Sequence, residues 1–245
     1  MKVQTFFSPA EVDSSAAVDA TAVVIDVIRA TSTMVEALAS GARAIYPTLS
    51  TEEAIRLANS MGREDTLLCG ERKGLKIDGF DLGNSPREFT PERVEGKRLV
   101  MTTTNGTRAF LAVQGARRVL VLSFLNLTAV ARAIGQAERL VVVCAGKEDR
   151  FSMDDALCAG VFLQEVLGEE PLSGAHELND QSRAVLSLAQ AHGPDESFLR
   201  ASAAGAALVE VGLEEDLSVC AVRDRHTLVP EMQDRMIQLP SSGGR

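Results

Sequence analysis

AVVIDV, residues Ala22–Val27, is a run of small and β-branched apolar side chains carrying one carboxylate, and a helical pattern, Thr31–Ser40, follows it after a short loop. An apolar run that does not alternate with polar residues suits a strand covered on both faces. The unit recurs along the chain. Arg43–Pro47 precedes a helix over Thr51–Asn59, whose first turn carries acids that favour a helix start. Leu67 and Leu68 begin a further short strand. Arg98–Met101 precedes a helix from Asn105, Val119–Leu122 a helix over Asn126–Ile134, and Leu140–Cys144 a helix over Met153–Leu167. Strand–helix alternation of this kind predicts an α/β fold, a three-layer α/β/α sandwich around a mostly parallel or mixed central sheet. Thr31 or Ser32 is expected to cap the first helix.

The last third reads differently. Ser182–Ala191 and Ser197–Leu208 are expected as helices and Leu217–Val222 as one late strand. Neither a Gly- or Pro-rich linker nor a repeat interrupts the chain. One compact domain is therefore expected over residues 1–240, with a mobile tail at 241–245.

Composition narrows the function. A chain of 245 residues can hide roughly 70% of its unfolded surface, so a core needs no disulfide or structural metal. Hydrophobic residues at 45% and charged residues at 24% are globular values and argue against disorder. Aromatics are 4% with no Trp, which speaks against base-stacking platforms. A net charge of −9 leaves no broad basic face, so no nucleic-acid partner is expected. The absence of a long apolar run or an apolar leader segment predicts a cytoplasmic protein with no membrane partner. Size and composition allow a homodimer. Cys69, Cys144, Cys158 and Cys220 lie far apart with no CxxC pair, so reduced, buried thiols are expected rather than a zinc site.

In open parallel sheets, ligands bind outside the carboxyl ends of the strands. Four unusually polar segments fall at such ends: DVIRAT (Asp26–Thr31), Gly70–Pro86, TTTNGTR (Thr102–Arg108) and CAGKEDRFSMDD (Cys144–Asp155). Asp26 interrupts an apolar run, where a carboxylate is costly unless paired or bound to a cation. Arg29 is one partner within reach. Alternatively Asp26 serves a metal or phosphate and Arg29 clamps the anion. In TTTNGTR, Asn105 and Gly106 allow a sharp turn into a helix whose first N–H groups suit an anion. An ordinary capped helix would look similar.

Gly70–Pro86 is the longest stretch without an evident element, at seventeen residues, and loops above about 12–15 residues are usually functional or disordered. Residues 70–108 hold eight Lys/Arg against six Asp/Glu, an excess of positive charge in an acidic chain that suits a small anion. Asp154 and Asp155 open a helix, where the dipole favours acids anyway. Gathered with Asp26 and Glu71, they would also make an oxygen-rich set of the kind Mg²⁺ prefers. Cys144–Arg150 fits C-x₅-R, the pattern of cysteine-dependent phosphatases, but Glu148 and Asp149 inside the loop would repel a phosphate, and a thiolate needs electropositive surroundings. P-loop, dinucleotide-binding and nucleophile-elbow patterns do not occur.

Together the segments resemble the 2-phosphosulfolactate phosphatase family. The wording that carries the likeness is DVIRATST (Asp26–Thr33), GER with GFDLGNSP (Gly70–Arg72, Gly79–Pro86), TTTNGTRA (Thr102–Ala109) and CAGKEDRFSMDDALCAG (Cys144–Gly160), with a looser match through Leu213–Asp224. The resemblance implies a Mg²⁺-dependent acid phosphatase that converts 2-phospho-3-sulfolactate to 3-sulfolactate and phosphate in coenzyme M biosynthesis. On that basis Mg²⁺ is expected on Asp26, Glu71 and Asp155. Asp26 and Arg29 are the expected catalytic residues, Asp26 as metal ligand or as nucleophile. Arg72, Lys73, Asn84, Ser85, Thr104, Asn105, Gly106 and Thr107 are expected to bind a small anionic phosphorylated substrate. Asp154 stands where the family usually has glutamate, which favours Asp155 as the ligand. An anion sensor without turnover, or a phosphatase using Cys144, are the alternatives.

Overall fold

The computed structural model describes residues 1–13, 15–168, 171–172 and 174–240. The chain opens with strand β1 (Lys2–Phe6) and strand β2 (Thr21–Ile25), then helix α1 (Ala30–Ala39), β3 (Ala44–Pro47) and α2 (Thr51–Met61). Strand β4 (Thr66–Arg72) doubles back as β5 (Leu75–Lys76), and the short α3 (Pro91–Val94) leads to β6 (Arg98–Thr102) and α4 (Gly106–Ala112). Next come β7 (Arg118–Leu122), α5 (Leu127–Ile134), β8 (Arg139–Cys144) and α6 (Met153–Leu167). The chain continues through β9 (Glu177–Leu178), α7 (Asp180–Ala191), α8 (Glu196–Ala201), α9 (Ala203–Glu210) and α10 (Glu215–Cys220), and closes on the hairpin β10 (Glu231–Gln233) and β11 (Met236–Gln238).

The strands form one sheet in the order β5-β4-β6-β3-β11-β10-β7-β2-β8-β1-β9, parallel except at β5 and the β10–β11 hairpin. The α/β sandwich with a mixed, mostly parallel sheet is therefore observed. In β2, Val23 and Ile25 join the core under α5, α6 and α7, while Ala22 and Val24 join the core under α1 and α4. Both faces are covered, which is why the strand reads as apolar throughout. The α1–α4 core also takes Ile45, Cys69, Leu99 and Met101 from the other half of the sheet.

Strands β6 and β2 are five places apart in the sheet order, about 24 Å if the sheet were flat. Yet a Cβ on Gly106, four residues beyond β6, would lie 2.8 Å from Asp26 Oδ2, immediately beyond β2. Four residues span at most about 14 Å. The β6–α4 loop therefore reaches across toward the end of β2, so that the carboxyl ends of the two halves open on one space.

Several expectations need correction. Leu217–Val222 is not a strand: Asp216, Leu217 and Cys220 are buried while Ser218 is exposed, which is helical spacing, and the segment up to Cys220 belongs to α10. The helix expected over Ser197–Leu208 breaks at Ser202, whose hydroxyl accepts the Gly205 N–H and caps α9. Gly205 permits that corner, since a Cβ there would fall 2.0 Å from the Leu199 carbonyl oxygen. Gly70–Pro86 is not structureless: Glu71 pairs with Lys76 and Arg72 with Leu75 across a Lys73–Gly74 turn. Neither Thr31 nor Ser32 caps α1. Their hydroxyls donate instead to the Asp26 and Val27 carbonyls, both at 2.8 Å, and so stitch the strand-end loop to the helix. Residues 241–245, expected as a mobile tail, lie outside the described residues. All four cysteines are free and buried, as expected. Among the described residues no helix is long and apolar enough to cross a membrane.

Candidate active site

Four strand ends meet at one cavity of about 370 Å³. Asp26 and Arg29 reach it from the β2–α1 loop, Glu71, Lys73 and Gly74 from the β4–β5 hairpin, and Thr103, Thr104 and Asn105 from the β6–α4 loop. Gly146, Lys147, Asp154 and Asp155 line it from the β8–α6 loop and the start of α6. One wall is apolar, built by Ala204, Ala207, Leu208 and Val211 of α9 and the residue after it. Asn84 completes the lining on the side of Lys73 and Gly74. The segments that the strand-end rule selected thus share a single space.

Buried carboxylates tie this space together. Glu71 accepts the Thr104 and Gly74 N–H groups, both at 2.8 Å, so it clamps the β6–α4 loop to the hairpin. Asp155 accepts from Val27 N at 2.8 Å and Gly146 N at 3.0 Å, joining two further loops. Asp26 accepts from Ala30 N at 3.2 Å through Oδ1. Its Oδ2, the oxygen that faces Gly106, takes no hydrogen bond among the described residues. Asp154 is held by the Ser152 hydroxyl.

Crowding these acids perturbs them. Burial first, then the charges of Asp154 and Glu71, pushes Asp26 up to about 7 against the opposing Ala30 hydrogen bond. Burial, with Asp154 and Asp26 beside it, holds Asp155 well above the usual carboxylate range. Burial likewise raises Asp154, while its bond from Ser152 opposes the rise. Carboxylates in this condition call for a proton or a cation.

Arg29 does not pair with Asp26. Its Nη1 donates to Asp216 at 2.7 Å and its Nη2 to the Gly74 carbonyl at 2.6 Å, with both charged side chains almost wholly buried. Of the expected substrate-binding residues, Lys73, Asn84, Thr104 and Asn105 line the cavity, whereas Arg72, Ser85, Gly106 and Thr107 do not. Arg72 is engaged by the Glu71 carbonyl and Thr102 Oγ1, and Ser85 by Asp216 at 2.6 Å. Arg108 turns outward to Asp149. Asn84 Oδ1 and Thr103 Oγ1 are buried in the cavity wall without a partner among the described residues, as is Thr107 Oγ1 behind it.

A three-carboxylate metal cage on Asp26, Glu71 and Asp155 is not preformed. Among the described residues no three His, Cys, Asp or Glu side chains are gathered closely enough for one. Both oxygens of Glu71 and both of Asp155 accept backbone N–H groups. The donor set still fits Mg²⁺, which takes hard oxygens, uses one or two carboxylates and keeps several waters.

Cys144 is buried at the end of β8 and does not line the cavity; burial above all, then Asp155, pushes its thiol well up. A thiolate nucleophile there has no physical support. Sequence reading missed Thr103, Lys147, Asp216 and the α9 wall. Thr103 lay inside a segment already marked, but nothing in its type set it apart from its neighbours.

Gly106 gives the site a sharp test. A Cβ at that position would meet Asp26 Oδ2 and Ala30 Cβ, each at 2.8 Å. Gly106→Ala should destabilise the protein by about 1–3 kcal/mol through overpacking and depress kcat/KM by displacing Asp26. Thermal melts and steady-state kinetics read both effects, and a variant with unchanged kcat/KM would place the reacting group elsewhere.

Rich in buried acids, with buried polar atoms in its wall and set where parallel strands end, this cavity fits an α/β phosphatase rather than a base- or sugar-stacking protein. The chain belongs to the 2-phosphosulpholactate phosphatase family, whose family model matches residues 6–235. It is 40% identical over 247 residues to a probable 2-phosphosulfolactate phosphatase of Clostridium perfringens strain 13, covering 99% of this chain and 98% of that protein. Proteins given the same description in Symbiobacterium thermophilum and Thermotoga maritima are 40% and 37% identical. Those matches cover 89% and 86% of this chain and 93% and 88% of the respective relatives.

Proposed function

We propose that this chain hydrolyses 2-phospho-3-sulfolactate to 3-sulfolactate and phosphate with the help of Mg²⁺, a reaction of the coenzyme M biosynthetic type. One observation carries the reading: buried, mutually repelling carboxylates share a cavity with buried polar atoms that have no partner among the described residues. A divalent ion answers the first feature and an oxygen-rich anion the second.

Hydrolysis adds water across the P–O ester bond, so that the ester oxygen leaves with a proton and phosphorus keeps the water oxygen. Asp26, whose Oδ2 is uncommitted, and Asp154 beside it would hold the ion, while Glu71 and Asp155 fix the loops around them. Bound there, Mg²⁺ would supply Lewis-acid charge stabilisation for the phosphoryl group. Arg29, Thr103, Thr104 and Asn105 would donate to the phosphoryl oxygens as their charge grows. Lys73 and Asn84, on the hairpin side, would take the carboxylate and sulfonate.

Phosphate release from 2-phosphosulfolactate and from p-nitrophenyl phosphate tests this. Release should vanish in EDTA and return with Mg²⁺, and Cys144→Ser should leave it intact. Turnover that ignores EDTA but dies on thiol alkylation would move the chemistry to a cysteine. Tight binding of phosphate with no turnover of either ester would leave a sensor.

A further inference from the structure

Asp216, at the second position of α10, is fully buried and lies outside the cavity lining, yet it is bonded to two of the segments that build the cavity. Its Oδ2 accepts from Arg29 Nη1 at 2.7 Å and its Oδ1 from the Ser85 hydroxyl at 2.6 Å. Ser85 follows Asn84, whose unpartnered Oδ1 is buried in the cavity wall. Arg29 in turn donates to the carbonyl of Gly74, the residue after Lys73. One carboxylate therefore connects the start of α1, the Asn84–Ser85 segment and, through Arg29, the β4–β5 hairpin.

Packing alone does not call for this arrangement. Removing two charges from water is costly, and a pair of apolar side chains of similar volume often holds a fold as well or better. What an apolar pair cannot do is set the direction of a guanidinium, whose N–H donors are fixed in a planar fork. Arg29 shares its cavity with Asp26, Glu71, Asp154 and Asp155. Left without Asp216, it would be drawn to those acids and would occupy the oxygens that the reaction needs. Paired with Asp216 on one side and Gly74 on the other, it keeps its remaining donors for the cavity.

We propose that Asp216 is a positioning residue: it holds Arg29 away from the cavity acids and, through Ser85, holds Asn84 in place, so that both are set to receive an oxyanion. The idea rests on the phosphatase reading for the identity of that oxyanion, and its test does not depend on turnover.

The probe is inorganic phosphate in the presence of Mg²⁺, with its Kd measured by calorimetry. Asp216→Asn keeps the shape of the side chain and an oxygen for Ser85 but removes the charge that holds Arg29. Its phosphate Kd should rise about 30-fold or more, the scale for breaking one partner of a buried charge pair. In an Arg29→Met background the same substitution should change Kd by less than about threefold, because the residue it acts through is gone. An unchanged Kd in folded Asp216→Asn, or an equal loss in both backgrounds, overturns the proposal.

Circular dichroism and thermal melts establish that each variant is folded. Should Asp216→Asn not fold, the neutral pair Arg29→Met with Asp216→Met replaces it. That pair should fold and lose phosphate affinity, and wild-type affinity in it would equally overturn the proposal. Phosphate binding by the wild type without ester turnover would sink the phosphatase reading and leave the role of Asp216 standing. Turnover with wild-type phosphate affinity in Asp216→Asn would do the reverse, and a wild type that binds no phosphate would remove both.

Discussion

Asp26→Asn should cut phosphate release by about a hundredfold to ten-thousandfold, the range for removing a group that acts on the reacting atoms, while leaving the fold as stable as before or firmer. The two halves of this expectation have separate causes. Asp26 is buried, and its ionised form is opposed by lost hydration and by Asp154 and Glu71. Asparagine keeps an oxygen for the Ala30 N–H, the only hydrogen bond to the carboxylate among the described residues, and carries no charge to desolvate. The role proposed for Asp26 depends on its charge, which asparagine lacks. Steady-state kinetics in Mg²⁺ and a thermal melt decide the matter together. Lost turnover with an unchanged or higher Tm supports the assignment, whereas full turnover with a lowered Tm would show Asp26 to be a structural tie.

The parts of this protein that sequence reveals are those where one physical demand dominates. β2, β7 and β8 are covered on both faces, and their unbroken apolar runs announce it. Asp26 was visible for the converse reason, as one carboxylate set where only apolar groups belong. α10 hid because it is six residues long, with Leu217, Val219 and Cys220 as its apolar positions and Ser218 between the first two, so a period of two and a period of three look alike. β10 and β11 hid because their turn, Asp234–Arg235, reaches positive φ without the usual glycine or asparagine.

The partner of Arg29 shows a deeper limit. Asp26 is three residues away and would serve in an extended loop, but the true partner is 187 residues away in sequence. Nothing local distinguishes Asp216 from Glu214 or Glu215, which are more exposed. Only the packing of α10 in the assembled fold singles it out. The same holds for the metal assignment. The sequence offered Asp155 and Glu71 as metal ligands beside Asp26, but that their oxygens accept four backbone N–H groups is a property of the assembled loops.

In EDTA, the stability of the wild-type protein should fall as pH rises from about 4 to about 7. The sign follows from linkage: Asp26 sits near 3.8 when unfolded and about 7 when folded, so between those values the native state holds a proton that the unfolded state has lost. Stability is then present in full below the lower value and declines by about 1.4 kcal/mol per pH unit, to a loss of about 4 kcal/mol above the upper one. Asp154 and Asp155 are shifted in the same direction and deepen the decline. Mg²⁺ binds only the ionised acids of the folded state, and at a hundred times its Kd it should restore about 2.7 kcal/mol at pH 7.5. Urea melts at pH 4.5 and 7.5, with EDTA and with Mg²⁺, measure both quantities. Asp26→Asn isolates the contribution of one side chain, since its curve should be flatter by the share that Asp26 supplies. A wild-type protein in EDTA whose stability holds level or climbs across this window, with the Asp26→Asn curve superimposed on it, would mean that the acids around the cavity are already neutralised by partners within the fold and have no use for a cation.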